Sequence, residues 1–147
     1  FEFADRRVVD PPTLPLAELL LSKLQVVRIN RKDILDALIL LARFPLAQDD
    51  RGGISVSRIT GLTSTNWGWW RTVTENLDTI RRFHEIELKP GELEATTPHP
   101  FDPVEQITAL RAAIDAAPKS AKWKLRARLG DRAPWYELPE EVEHDRR

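Results

Sequence analysis

The sequence predicts a mainly α fold, a helical bundle preceded by one or few β-strands. Three observations predict it. From Pro15 onward, apolar residues recur at i, i+3 and i+4, the spacing of one helix face. Proline, glycine and capping residues interrupt that spacing at helix-length intervals. Clear strand-like alternation is confined to residues 1–9, where Phe1 and Phe3 flank Glu2, Val8 and Val9 follow, and Asp10-Pro11-Pro12 ends the run.

The elements follow in order. Leu16, Leu19, Leu20, Leu24 and Val27 predict a helix over 15–27. Asn30 caps a second helix to about Phe44, with Ile34, Leu38 and Leu41 as its stripe, and Pro45 ends it. Asp49-Asp50-Arg51-Gly52-Gly53 is a turn. Residues 55–62 read as a short helix, although the Ile54/Val56 alternation also suits a strand. Asn66 precedes a long helix to about Phe83, with Trp70, Val73, Leu77 and Ile80 on one face. Residues 85–102 are Pro-rich and extended. A further helix spans Pro103–Ala117, with Val104, Ile107, Leu110 and Ile114 turned inward, and a basic helix follows over 119–129. The organisation is thus a terminal strand (1–10), a helical domain (11–133) and an acidic tail (134–147).

Composition narrows the function. The chain has 147 residues, 41% hydrophobic and 31% charged, enough apolar content for one core. Lys and Arg (22) balance Asp and Glu (23), so a globally basic nucleic-acid binder is disfavoured while local patches stay open. With no cysteine there is no disulfide frame, thiolate metal site or thiol nucleophile, and only three histidines stand far apart. No apolar run approaches the ~20 residues that span a bilayer, so a cytoplasmic protein without membrane contact is expected. The chain holds no Met and opens on a strand without a hairpin partner. The expectation is a partial or processed chain whose first strand belongs to an upstream sheet or pairs with another copy.

Two groups of charged residues carry the candidate chemistry. Lys23 falls between Leu20 and Val27 at the centre of its helix's apolar stripe. Either it snorkels past the rim of the core, or that face lines a cleft that holds an anion. Asp33 and Asp36 are i, i+3 on the next helix, away from its stripe, with Arg28, Arg31 and Lys32 close in sequence. They form either a solvated first turn, favoured by the helix dipole, or a general base flanked by phosphate-binding cations.

The run Leu19-Leu20-Leu21-Ser22-Lys23-Leu24-Gln25-Val26-Val27-Arg28, followed by Lys32-Asp33-Ile34-Leu35-Asp36, resembles nucleotidyltransferase-like proteins of the abortive-infection toxin class. Lys23 and Arg28 match a Lys-x4-Arg type motif, and Lys32, Asp33 and Asp36 match Lys-Asp-x-x-Asp. The Asn66-Trp67-Gly68-Trp69-Trp70-Arg71-Thr72 run and the Pro134-Trp135-Tyr136 to Pro139-Glu140-Glu141 tail resemble a bacterial subgroup of that class. The resemblance implies the C-terminal half of an α+β nucleotidyltransferase, with residues 1–10 closing its catalytic sheet. It also implies an NTP substrate, an RNA acceptor, an antitoxin partner and Mg²⁺. Lys23, Arg28 and Lys32 become nucleotide-phosphate ligands, and Asp33 or Asp36 the base or acceptor-positioning group. One departure is clear: the class places Asp-x-Asp after a Gly-Ser or Gly-Gly turn, whereas Gly52-Gly53 precedes Ile-Ser-Val. No metal ligand is therefore assigned in this chain.

The remaining features suit nucleic acid. Trp67 and Trp70 fall near the apolar stripe and are expected in the core, whereas Trp69 points elsewhere and, with Arg71, offers a stacking platform. Lys119, Lys122, Lys124, Arg126, Arg128 and Arg132 form a basic run interleaved with Trp123 and Trp135; Lys122 and Arg126 are its candidate contacts. The acidic residues from Glu137 onward offer intramolecular neutralisation of the same run. The leading expectation is the helical part of a metal-dependent nucleotidyltransferase, inactive alone. The alternative is a non-enzymatic helical module that binds RNA or a partner protein.

Overall fold

A computed structural model describes residues 14–89, 91–93 and 100–134. The predicted strand over 1–10 and the acidic tail from residue 135 lie outside the described residues. The rest is mainly α, as the sequence predicts. Six α-helices are described: α1 (Leu16–Leu24), α2 (Arg31–Arg43), α3 (Val56–Thr65), α4 (Trp67–Ile86), α5 (Pro103–Ala116) and α6 (Ala121–Ala127). A 3₁₀ turn, Gly130–Arg132, follows α6. None of the described helices is long and apolar enough to cross a membrane.

Capping decides where the helices start. Asn30 Oδ1 accepts Asp33 N–H, Ser55 Oγ accepts Arg58 N–H, and Asn66 Oδ1 accepts Trp69 N–H. Asp102 caps α5 with Pro103 at its first position, and Ser120 caps α6. Ser55 also resolves the ambiguity at 54–56. Ile54–Ser55 (β2) pairs in parallel with Leu46–Ala47 (β1), and α3 begins at the next residue. So short a parallel ladder needs no long crossover, because the turn at 48–53 only has to bring two residues alongside two others. Gly53 makes that approach close. Its φ is +153°, and a Cβ there would run into the Pro45 carbonyl oxygen.

Helix bounds differ from prediction at α1 and α4, at α3, which runs on to Thr65 rather than 62, and at α6, which spans Ala121–Ala127 rather than 119–129. α1 stops at Leu24, not 27, because buried Asn76 of α4 donates to the carbonyls of both Leu24 and Val26 at 2.7 Å and draws the chain off the helix axis. α2 ends with Phe44 as its C-cap, as predicted, and there Gln106 of α5 donates to the carbonyls of Leu41 and Phe44 and accepts from Leu46 N–H. α4 runs on to Ile86, whose side chain stands 77% exposed.

One core joins α1 to α5. Leu20, Leu24, Leu38, Leu41, Ile59, Leu77, Ile80, Ile107, Leu110 and Ile114 are sealed from water within it. The face of α1 turned toward it is Ala17, Leu20, Leu21 and Leu24, with Glu18 also buried. That rotation places Lys23 at the rim rather than at the centre of the stripe. Buried Glu18 is held by Arg58 Nε at 2.7 Å, which ties α1 to α3. α6 packs outside the core, on α3 and α4.

Candidate functional site

Two polar constellations stand outside the core. The first joins the ends of α1 and α2. Lys23 occupies the last turn of α1, while Asp33 and Asp36 occupy the first turns of α2. The Asn76 anchor turns the chain back so that these helices lie side by side. Lys23 Nζ is 3.0 Å from Asp36 Oδ2 and 3.7 Å from Asp33 Oδ1. The hydrogen bond to Asp36, helped by the charge of both carboxylates, raises the Lys23 pKa above its ordinary 10.5, against a smaller opposing effect of burial. The three side chains are between 18% and 35% exposed, so water and ligands reach them.

Asp36 also lines a cleft of about 490 Å³ with Arg31, Lys32, Leu35, Ile39 and Leu93. Its floor is aliphatic and its rim charged. Arg31 is committed there, because both Glu92 carboxylate oxygens accept from its guanidinium at 3.1 and 3.2 Å. Lys32 and Arg28 are exposed and have no ion-pair partner among the described residues. Lys23, Asp33 and Asp36 are thus brought together, Lys32 stands on the adjoining rim, and Arg28 lies on the exposed connector. An ammonium offers three donors. With two turned to carboxylates, Lys23 keeps one for an incoming anion.

The second constellation surrounds the tryptophans. Trp67 is buried, and Trp69 packs partly buried against the core, so the Trp69–Arg71 platform read from sequence is not an open surface. The reason is that α4 buries a broad face. Trp70 lies 6.1 Å from Trp67 and 5.3 Å from Trp123, the latter edge to face. Arg71 donates to both Asp131 oxygens and to Glu75. The hydrogen bonds to Asp131, helped by the charge of both carboxylates, raise the Arg71 pKa above its ordinary value, and the Arg71 guanidinium in turn holds the Asp131 carboxyl below its ordinary 3.8. Arg126 stacks 4.5 Å over Trp67 and donates to the carbonyls of Gly130 and Ala133. Arg71 and Arg126 therefore act inside the fold, while Lys122 stays exposed. Lys119 similarly caps the end of α5 through the Ile114 and Ala117 carbonyls.

Sequence reasoning does not find Glu18, Arg58, Asn76 or Gln106. A buried Glu on an apolar helix face is the only local signal, at Glu18. The others act on groups far away in sequence. Among the described residues, no group of three or more His, Cys, Asp or Glu side chains could hold a metal ion. No protein-family model, curated protein or solved structure matches the chain.

Proposed function

We propose that this chain is the helical, nucleotide-positioning part of a nucleotidyltransferase-like protein that works in the cytoplasm, with Lys23, Asp33 and Asp36 at the centre of its site. One observation carries the reading. Residues from two different helices, grouped by the family resemblance, meet at 3.0 and 3.7 Å beside a cleft whose rim carries Lys32, without an ion-pair partner among the described residues. In that role the spare Lys23 N–H contacts a phosphate oxygen, while Lys32 and Arg28 offset the triphosphate charge. Asp36, facing both Lys23 and the cleft, orients an acceptor hydroxyl such as an RNA end and takes its proton. The hydroxyl oxygen bonds to the α-phosphorus and pyrophosphate departs. Asp33 keeps Lys23 aimed.

Mg²⁺ does not fit these residues. The ion prefers six oxygen ligands in near-octahedral array, whereas Asp33 and Asp36 share one ammonium and, among the described residues, no third carboxylate completes a metal-holding group with them. No step of this chain's own chemistry runs through it. A toxin–antitoxin setting belongs to the same proposal and rests on the resemblance alone. The alternative, a non-enzymatic module for RNA or a partner protein, draws on the exposed cations of α6.

Nucleotide titration followed by amide chemical shifts tests the proposal. ATP should perturb residues around Lys23, Lys32 and Asp36, and Lys23→Met should weaken binding tenfold or more. Shifts elsewhere only, or unchanged affinity in a folded Lys23→Met variant, would overturn it.

A further inference from the structure

We infer that the cleft between α4, α5 and α6 binds single-stranded nucleic acid and seats one unpaired base against its tryptophans. This cleft has a volume of about 670 Å³, and its walls include Trp67, Trp70, Trp123, Arg71, Arg82 and Arg111. A base has two faces for stacking on aromatic rings, and an edge of carbonyl and ring-nitrogen acceptors. Both needs have a counterpart here. The tryptophans form a connected cluster, and the Nε1 donors of Trp70 and Trp123 are buried with no hydrogen-bond partner among the described residues. Buried indole N–H groups ordinarily find an acceptor, and the described residues supply none to either.

Charge decides between a free nucleotide and a strand. Inside the cleft the arginines and carboxylates largely cancel: Arg71 is bonded to Glu75 and Asp131, and Arg111 to Asp78 and Asp115. Arg82 is exposed, with a single hydrogen bond to Thr79 Oγ1 and no ion pair among the described residues. Next to the cleft, Lys122 and Lys124 flank Trp123 on α6, and Arg128 follows. All three are exposed and have no ion-pair partner among the described residues. A mononucleotide uses one such cation. Several exposed cations on the helix that walls an aromatic cleft suit a chain of phosphates, which gathers more than one at once.

Lys23, Asp33 and Asp36 line no part of this cleft, so this inference and the proposed NTP site stand or fall separately. The test uses the full chain, its intrinsic tryptophan fluorescence, and two ligands, a decauridylate and UMP, at several salt concentrations. The decauridylate should quench the fluorescence, with affinity falling steeply as salt rises. The triple variant Arg82→Gln/Lys122→Gln/Lys124→Gln, checked for native circular dichroism, should bind at least tenfold more weakly. Its salt slope should drop by about 2, since each single-strand phosphate neutralised by a cation adds ~0.7 to the slope. Trp123→Phe, which keeps a ring but removes the indole donor, should weaken binding and leave the salt slope unchanged. The inference is overturned if the decauridylate causes no quenching at low salt, or if the triple variant binds as well as the native chain. Equal affinity for UMP and decauridylate overturns the strand as ligand and assigns the cleft to free nucleotides.

Discussion

At the scale of single residues, Lys23 separates a ligand-holding role from a purely structural one. Its carboxylate partners are partly exposed, so the pair is screened and worth far less than a buried one. Lys23→Met keeps the aliphatic stem, and thermal melts should show a loss of no more than about 1 kcal/mol. A loss of about 3–5 kcal/mol, as for breaking a buried pair, together with unchanged nucleotide affinity would make Lys23 structural. The pH dependence has a definite sign. Because folding raises the Lys23 pKa, its stabilising contribution is complete below 10.5 and fades as pH climbs through the higher folded value. The stability gap between native chain and Lys23→Met should therefore be constant at neutral pH and close only in strong alkali. Asp131 behaves oppositely. Its folded pKa is depressed by Arg71, so its contribution is present above 3.8 and disappears as pH falls below that value. Tryptophan fluorescence should report α6 loosening in this acid range, and Asp131→Asn should remove that transition.

At the scale of elements, two side-chain amides, buried Asn76 and half-buried Gln106, hold the helix ends that shape the Lys23 site and the β1–β2 ladder. Asn76 satisfies two carbonyls at the end of α1, and Gln106 satisfies two at the end of α2 plus one N–H of β1. Truncating either leaves buried backbone groups unpaired, at about 1–3 kcal/mol for each group that water cannot reach. Asn76→Ala should lower stability by roughly 2–4 kcal/mol in urea denaturation. It should also broaden the amide resonances of residues 24–33, since the α1–α2 turn loses its anchor. A variant as stable as the native chain, with sharp resonances there, would show that the turn holds itself. Gly53→Ala should likewise destabilise, because the added methyl must displace the Pro45 carbonyl to which Ile54 N–H donates at 2.8 Å.

At the scale of the whole molecule, this chain should not transfer nucleotides unaided. Lys23 and its two carboxylates can hold and orient, but no cluster of carboxylates among the described residues can cage a metal–triphosphate complex. Incubation with radiolabelled NTP, Mg²⁺ and RNA should leave both RNA and protein unlabelled. Robust labelling would place the missing catalytic groups within these 147 residues.

Much of this is legible locally. The apolar spacing, the capping residues Asn30 and Asn66, the helix start at Pro103, and the breaks at Pro45 and Gly52-Gly53 describe helices whose hydrogen bonds reach only four residues along the chain. The shared face of Asp33 and Asp36 is equally local. The turning of each helix toward the core is not, because it depends on what the other helices offer. Spacing alone centres Lys23 on its stripe, but Ala17 and Leu21 take the inner face of α1; it leaves Trp69 open, but the core covers much of it. The sequence alone determined the helices, their order and the candidate charged residues. Tertiary packing decided that Lys23 meets Asp36, that Trp123 meets Trp70, and that Arg71 and Arg126 are engaged inside the fold. Those contacts join segments far apart in the chain, so they form only when burial of the common core brings the helices together.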